Sequence, residues 1–157
     1  MTAWRIGAAV VAVALVVVYA VGSARWVSTS SDWYTSLQQP AWQPPPAVFG
    51  IAWAYNFSAL VVVGIALAVR GSGAAMGVYL AAFAVSIAGA LAWAYLFYVG
   101  QSLTPAAVCL TGCALITVIC VAAAWSQAWW MGALLLPYQA WLLVAASLSW
   151  GYAALNR

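Results

Sequence analysis

Cys109, Cys113 and Cys120 follow i, i+4, i+11 spacing, which would put three thiols on one face of a helix. Thiolates so placed can ligate a metal or respond to redox state. Cysteine is also an ordinary small filler of apolar helices, and that packing role is the expectation here. The rest of the chain is poor in reactive groups. Its 157 residues include four Arg, one acid (Asp32), and neither Lys nor His. No imidazole is available as a general base or an axial haem ligand, and a lone carboxylate cannot form an acid–base pair. Without lysine there is no Schiff base. No metal site and no conventional catalytic site is expected. A net charge of +3 is too sparse for a nucleic-acid footprint, so nucleic acid is excluded as a partner. In excess are 11 Trp and 8 Tyr. Their π faces leave aromatic recognition as the chemistry this composition can perform.

Those aromatics must be carried by elements that live in lipid. The chain is 3% charged and 69% apolar, against about one quarter charged in a soluble domain. A hydrated surface cannot be built from that inventory. Five stretches approach the roughly 20 apolar residues that span a bilayer, at about 6–22, 47–69, 74–99, 105–124 and 132–155. Runs such as Val10 to Val18 do not alternate, which excludes a β-barrel. The expected architecture is therefore an all-α membrane protein: one five-helix transmembrane bundle over 1–157, integral and multi-pass in the lipid bilayer. An alternative for the first span is a removed leader, with Met1–Arg5 as charged head and Gly22-Ser23-Ala24 as small residues for cleavage. Arg5 and Arg70 fall on one side of the membrane and Arg25 and Arg157 on the other, so the arginine count does not orient the bundle.

One connection is long, 23–46. Within it, Ser31 or Asp32 can cap a short helix that sets Trp33, Tyr34 and Leu37 on one face, with Pro40 ending the turn. Pro44-Pro45-Pro46 then gives a stiff entry to the second span. Such a segment suits a lid on the bundle mouth or an interfacial anchor. Most tryptophans lie near span ends, where the headgroup belt explains them. Trp53, Trp93 and Trp141 do not. Trp53 and Trp93 each lie about 9 Å below the long-loop end of their spans, and Trp141 is near the middle of the fifth. Three indoles under one loop suggest an aromatic-walled cavity, with helix packing as the alternative. Asn56 and Ser86 are modest polar groups that helix contacts could absorb, and no ionisable group stands mid-span to relay a proton, which argues against a channel or secondary transporter.

The motif Trp33-Tyr34-x-x-Leu37-x-x-Pro40-x-Trp42-x-Pro44-Pro45, followed by Trp53, resembles the signature of the translocator protein (TspO/MBR) family, whose bacterial members are tryptophan-rich sensory proteins. Trp93-x-x-x-Phe97-Tyr98 and Pro137-Tyr138-x-x-Trp141-x-x-x-Ala145 extend the resemblance across the chain. It implies a homodimeric five-helix bundle binding porphyrins, and in eukaryotic relatives cholesterol and synthetic drugs, in a cavity under the first loop. The positions carried over as ligand-binding are Tyr34, Pro44, Pro45, Trp53, Ala90, Trp93, Phe97, Trp141, Ala145 and Leu148. Two of them mark departures or neighbour one: Ala90 stands where members commonly have Asn, and Ser149, after Leu148, replaces another Asn.

The resemblance implies no resident cofactor, with porphyrin as ligand. Its propionates would turn towards Arg25 and the loop amides. It also suggests light- and oxygen-dependent porphyrin breakdown, for which Trp53 and Trp141 would be the residues concerned. Gly73, Gly77, Ala81, Ala84 and Ala88 form a small-residue stripe on the third span, able to pack within the bundle or between subunits; the resemblance favours a dimer seam. Leu148, Tyr152 and Arg157 fit a permissive cholesterol-contact pattern.

Overall fold

The computed structural model describes residues 2–157; Met1, and with it the start of the possible leader, lies outside the described residues. The chain forms α1 (Ala3–Trp26), α2 (Asp32–Ser36), α3 (Pro46–Arg70), α4 (Gly73–Tyr98), α5 (Leu103–Gln127) and α6 (Trp129–Leu155). All but α2 are long and apolar enough to cross a membrane. The first and last spans run several residues beyond the apolar cores read from sequence. Interfacial residues such as Trp4, Arg25 and Trp129 continue the helices, because satisfying backbone groups within the helix remains favourable up to the headgroup level. Only Ala128 separates α5 from α6, in extended conformation.

Packing closes a ring. Helix α1 lies against α3 and α4, α3 against α6, α6 against α5, and α5 against α4. The inward face of α1 is set by helical spacing, with Ala12, Val16 and Tyr19 buried. At Gly64 a Cβ would stand 2.8 Å from the Cβ of Ala12, so glycine lets α1 and α3 approach there. Below the ring's mouth the centre is filled by Val63, Leu67, Tyr79, Phe83, Leu135 and Tyr138.

The thiols on α5 pack rather than gather around a common point. Cys113 Sγ donates to the Ser86 carbonyl at 3.2 Å and Cys120 Sγ lies 3.9 Å from that of Tyr79, both on α4, while Cys109 is half-buried. Thr117 donates to Gln139 Oε1 at 2.8 Å, and Gln139 Nε2 returns to the Ala114 carbonyl at 2.7 Å, a clamp between α5 and α6. Ser86 is absorbed as expected, donating to Phe83 O at 2.8 Å. Asn56 is not. It is 1% exposed, and its Nδ2 has no hydrogen-bond partner among the described residues.

A lidded aromatic cavity as the candidate functional site

The lid begins with the predicted cap. Ser31 Oγ accepts from the Tyr34 amide at 3.3 Å and starts α2, which ends at Ser36, before Pro40 is reached. The single turn sets Trp33, Tyr34 and Leu37 against Phe97 and Tyr152. The aromatic face of α2 is thus packed on the bundle mouth, the arrangement expected of a lid. Trp33 meets Phe97 edge-on at 5.6 Å, so the headgroup belt does not account for it.

Polar latches hold the remainder of the lid to α6. The hydroxyls of Tyr34 and Tyr152 pair at 3.1 Å, and the Tyr152 hydroxyl also bonds Gln43 Oε1. Asn156 clasps the backbone of Gln38, accepting from its N–H at 2.8 Å and donating to its carbonyl at 3.0 Å. Trp42 donates to Ser147 at 3.3 Å. Pro40 and Trp42 close on Gly151, where a Cβ would sit 2.7 and 2.8 Å from their rings. Here glycine is required by close approach.

Under this lid lies a cavity of about 740 Å³, to which all five long helices contribute. Helix α3 supplies Phe49, Trp53 and Phe57; α4 supplies Trp93, Phe97 and Tyr98; α6 supplies Trp141, Leu142, Ala145, Leu148, Ser149 and Tyr152. Tyr19 on α1 and Leu110 on α5 close the ring, and Tyr34, Gln39, Gln43 and Pro44 to Pro46 form part of the roof. Trp53 stacks on Phe57 at 5.2 Å and meets Tyr19 edge-on at 5.4 Å. On another wall Phe49 meets Trp141 edge-on at 5.3 Å. Offset and edge-on pairs of this kind hold flat faces in fixed orientations. Trp93 is steadied differently, its indole N–H donating to Ser149 Oγ at 3.0 Å.

Of the positions named from sequence, Tyr34, Pro44, Pro45, Trp53, Trp93, Phe97, Trp141, Ala145 and Leu148 all line this cavity. Ala90 does not. It is 3% exposed and packs in the core cluster instead. Arg25 is exposed and absent from the lining, which carries only neutral side chains. Leu148 and Tyr152 turn inward to the cavity, so they do not form a lipid-facing cholesterol contact with Arg157. Gly73, Gly77, Ala81, Ala84 and Ala88 are all exposed on the outer face of α4, and therefore do not pack within the bundle.

Several lining residues escaped the sequence reading. Tyr19 follows Ala12 and Val16 at i, i+4, i+7, a buried-face spacing that could have revealed it. Phe57 sits one turn beyond Trp53 and could have been added by the same rule. Gln39 and Gln43 gave no signal, since their roles depend on how the lid folds back.

The lining offers flat aromatic faces, apolar walls and a few neutral donors and acceptors near the roof. Among the lining residues there is no carboxylate, imidazole or amine to move a proton. The arrangement is suited to binding.

Comparison with known proteins agrees with these features. The TspO/MBR family profile matches residues 10–155. The chain is 31% identical over 140 residues to Protein CrtK of Rhodobacter capsulatus, covering 86% of this chain and 85% of that protein. It is also 27% identical over 126 residues to the Tryptophan-rich sensory protein of Cereibacter sphaeroides, covering 80% and 77% of the two chains. With five membrane-spanning helices and a match over nearly its whole length, this chain belongs to the TspO/MBR family of integral membrane proteins.

Proposed function

We propose that the protein is a membrane receptor, of translocator type, for porphyrins and similar flat apolar molecules, held in the lidded cavity. The observation that carries this reading is the convergence of Trp53, Trp93 and Trp141 from three helices on one cavity of about 740 Å³, within the roughly 300–1,000 Å³ of small-molecule sites. Stacking surfaces fit a tetrapyrrole plane. Ser23, Thr29, Gln39 and Gln43 are the neutral polar groups available to its acid substituents, which would point to the mouth, where water can solvate them. Free-base porphyrin suits the site better than haem, since no histidine exists to bind iron axially.

A second reading is light- and oxygen-dependent breakdown of the bound porphyrin. Its support is that Trp53 and Trp141 both line the cavity, on α3 and α6, so indoles flank the ligand plane. Titrating protoporphyrin into purified protein tests both readings, with tryptophan quenching followed in the dark and the porphyrin spectrum under light. Dark quenching without light-dependent loss supports the receptor alone. Loss that disappears in Trp53→Phe and Trp141→Phe supports breakdown, and no binding overturns both.

The outward stripe on α4 supports a homodimer. Small residues let helix backbones approach in lipid, and among the described residues no atom beyond Gly77's own stretch of helix comes within 4 Å of where a Cβ would stand. The seam we propose runs through Gly73, Gly77, Ala81, Ala84 and Ala88.

A further inference from the structure

At the end of the bundle opposite the lid, α3 and α6 border a groove of about 370 Å³ on the outer surface, sharing no residue with the lidded cavity. Its floor is Val62, Ile65, Ala66 and Val69, one face of α3 at i, i+3, i+4, i+7, and Trp130 of α6 stands across it. Val62, Ile65 and Val69 are exposed, and with the proposed subunit seam on α4 this face of α3 is left to lipid. The groove ends at Arg70, the last residue of α3. From Val62 to Arg70 the helix rises about 12 Å, close to the depth of one leaflet's hydrocarbon.

Among the described residues Arg70 has no carboxylate to meet. The chain's one acidic side chain, Asp32, is in the lid at the far end of the bundle, and the C-terminal end of α6 lies there too. Nor is Arg70 needed to finish α3. Arg5, whose guanidinium lies 5.0 Å from the ring of Trp4, already donates to the carbonyls of Ala68 and Val69. A permanently charged guanidinium thus stands at headgroup level, at the mouth of a slot one acyl chain deep. Its planar fork suits phosphate oxygens.

We propose that this groove is a binding site for an anionic phospholipid, one acyl chain lying along Val62, Ala66 and Val69 beneath Trp130 and the phosphate pairing with Arg70. The zwitterionic phospholipid fills the same slot but gains less, because its own cation competes for the phosphate. One arginine near a membrane surface is worth about 1 kcal/mol against anionic lipid, or about fivefold in occupancy.

Native mass spectrometry of the full chain in mild detergent tests this, with phosphatidylglycerol and phosphatidylcholine of equal chain length supplied in competition. The expected result is about fivefold preferential retention of phosphatidylglycerol, abolished in Arg70→Gln, kept in Arg70→Lys, and kept in Arg157→Gln at the other face. Ala66→Phe, which fills the slot and leaves the charge, should lower retention of both lipids. Equal retention by the unmodified protein, a preference that survives Arg70→Gln or falls equally in Arg157→Gln, or retention unaffected by Ala66→Phe would each overturn the proposal.

Discussion

The indole N–H of Trp93 on α4 donates to the hydroxyl of Ser149 on α6 at 3.0 Å, both residues lining the cavity. The bond fixes the plane of one cavity tryptophan, and Ser149 itself is only 2% exposed. Ser149→Ala should leave that N–H without its partner and free the ring to rotate. Interhelical side-chain bonds in membranes are worth about 0.6 kcal/mol on average, up to about 1.7, so a small loss of thermal stability is expected. The sharper readout is porphyrin affinity: it should fall with Ser149→Ala and recover with Ser149→Thr, which keeps the hydroxyl.

The lid depends on a bare backbone. A side chain at Gly151 would collide with Pro40 and Trp42, so Gly151→Val should lift the lid while the bundle below stays folded. Hydrogen exchange should rise across 33–43, with α4 and α5 little changed. Tyr152→Phe, which removes the hydroxyl shared with Tyr34 and Gln43, should give the same pattern in milder form.

Asn56 runs the other way. A buried amide nitrogen without a partner costs about 1–3 kcal/mol, and leucine keeps the same branched arrangement of side-chain heavy atoms. Asn56→Leu is therefore expected to raise the thermal midpoint, read by tryptophan fluorescence or calorimetry in detergent. An unchanged or lower midpoint would mean that the amide is already compensated.

Gly77 gives a clean test of the subunit seam. Since a Cβ there meets no other helix among the described residues, Gly77→Leu should leave the monomer folded and reduce the oligomer mass measured in mild detergent. A dimer of unchanged mass and affinity would place the seam elsewhere.

Arg5 donates to the carbonyls of Ala68 and Val69 and so ties the start of α1 to the end of α3. Removing a charged donor from such carbonyls costs about 1–2 kcal/mol. Arg5→Gln should lower the thermal midpoint and speed exchange at Leu67 to Gly71, without affecting porphyrin binding at the far end.

Much of this protein was determined by sequence alone. Composition required lipid as solvent, and the length of each apolar run fixed five helices, because an unpaired backbone group in hydrocarbon is too costly for any other form. The depth of Trp53, Trp93 and Trp141 followed from helical rise, which is local geometry. Which way a side chain points across the ring is not local. Tyr19, Phe49 and Phe57 join the cavity because α1 and α3 pack as neighbours; Ala90 turns into the core, and Arg25 stays outside. Leu148 and Tyr152, whose spacing allowed a lipid-facing role, were turned inward by the rotation of α6 against α5 and by the lid that Tyr152 holds. Helical period narrows the choice to a face, but only packing against particular neighbours selects which face looks inward. The groove ending at Arg70 arises in the same way, from the placing of Trp130 of α6 beside the outer face of α3.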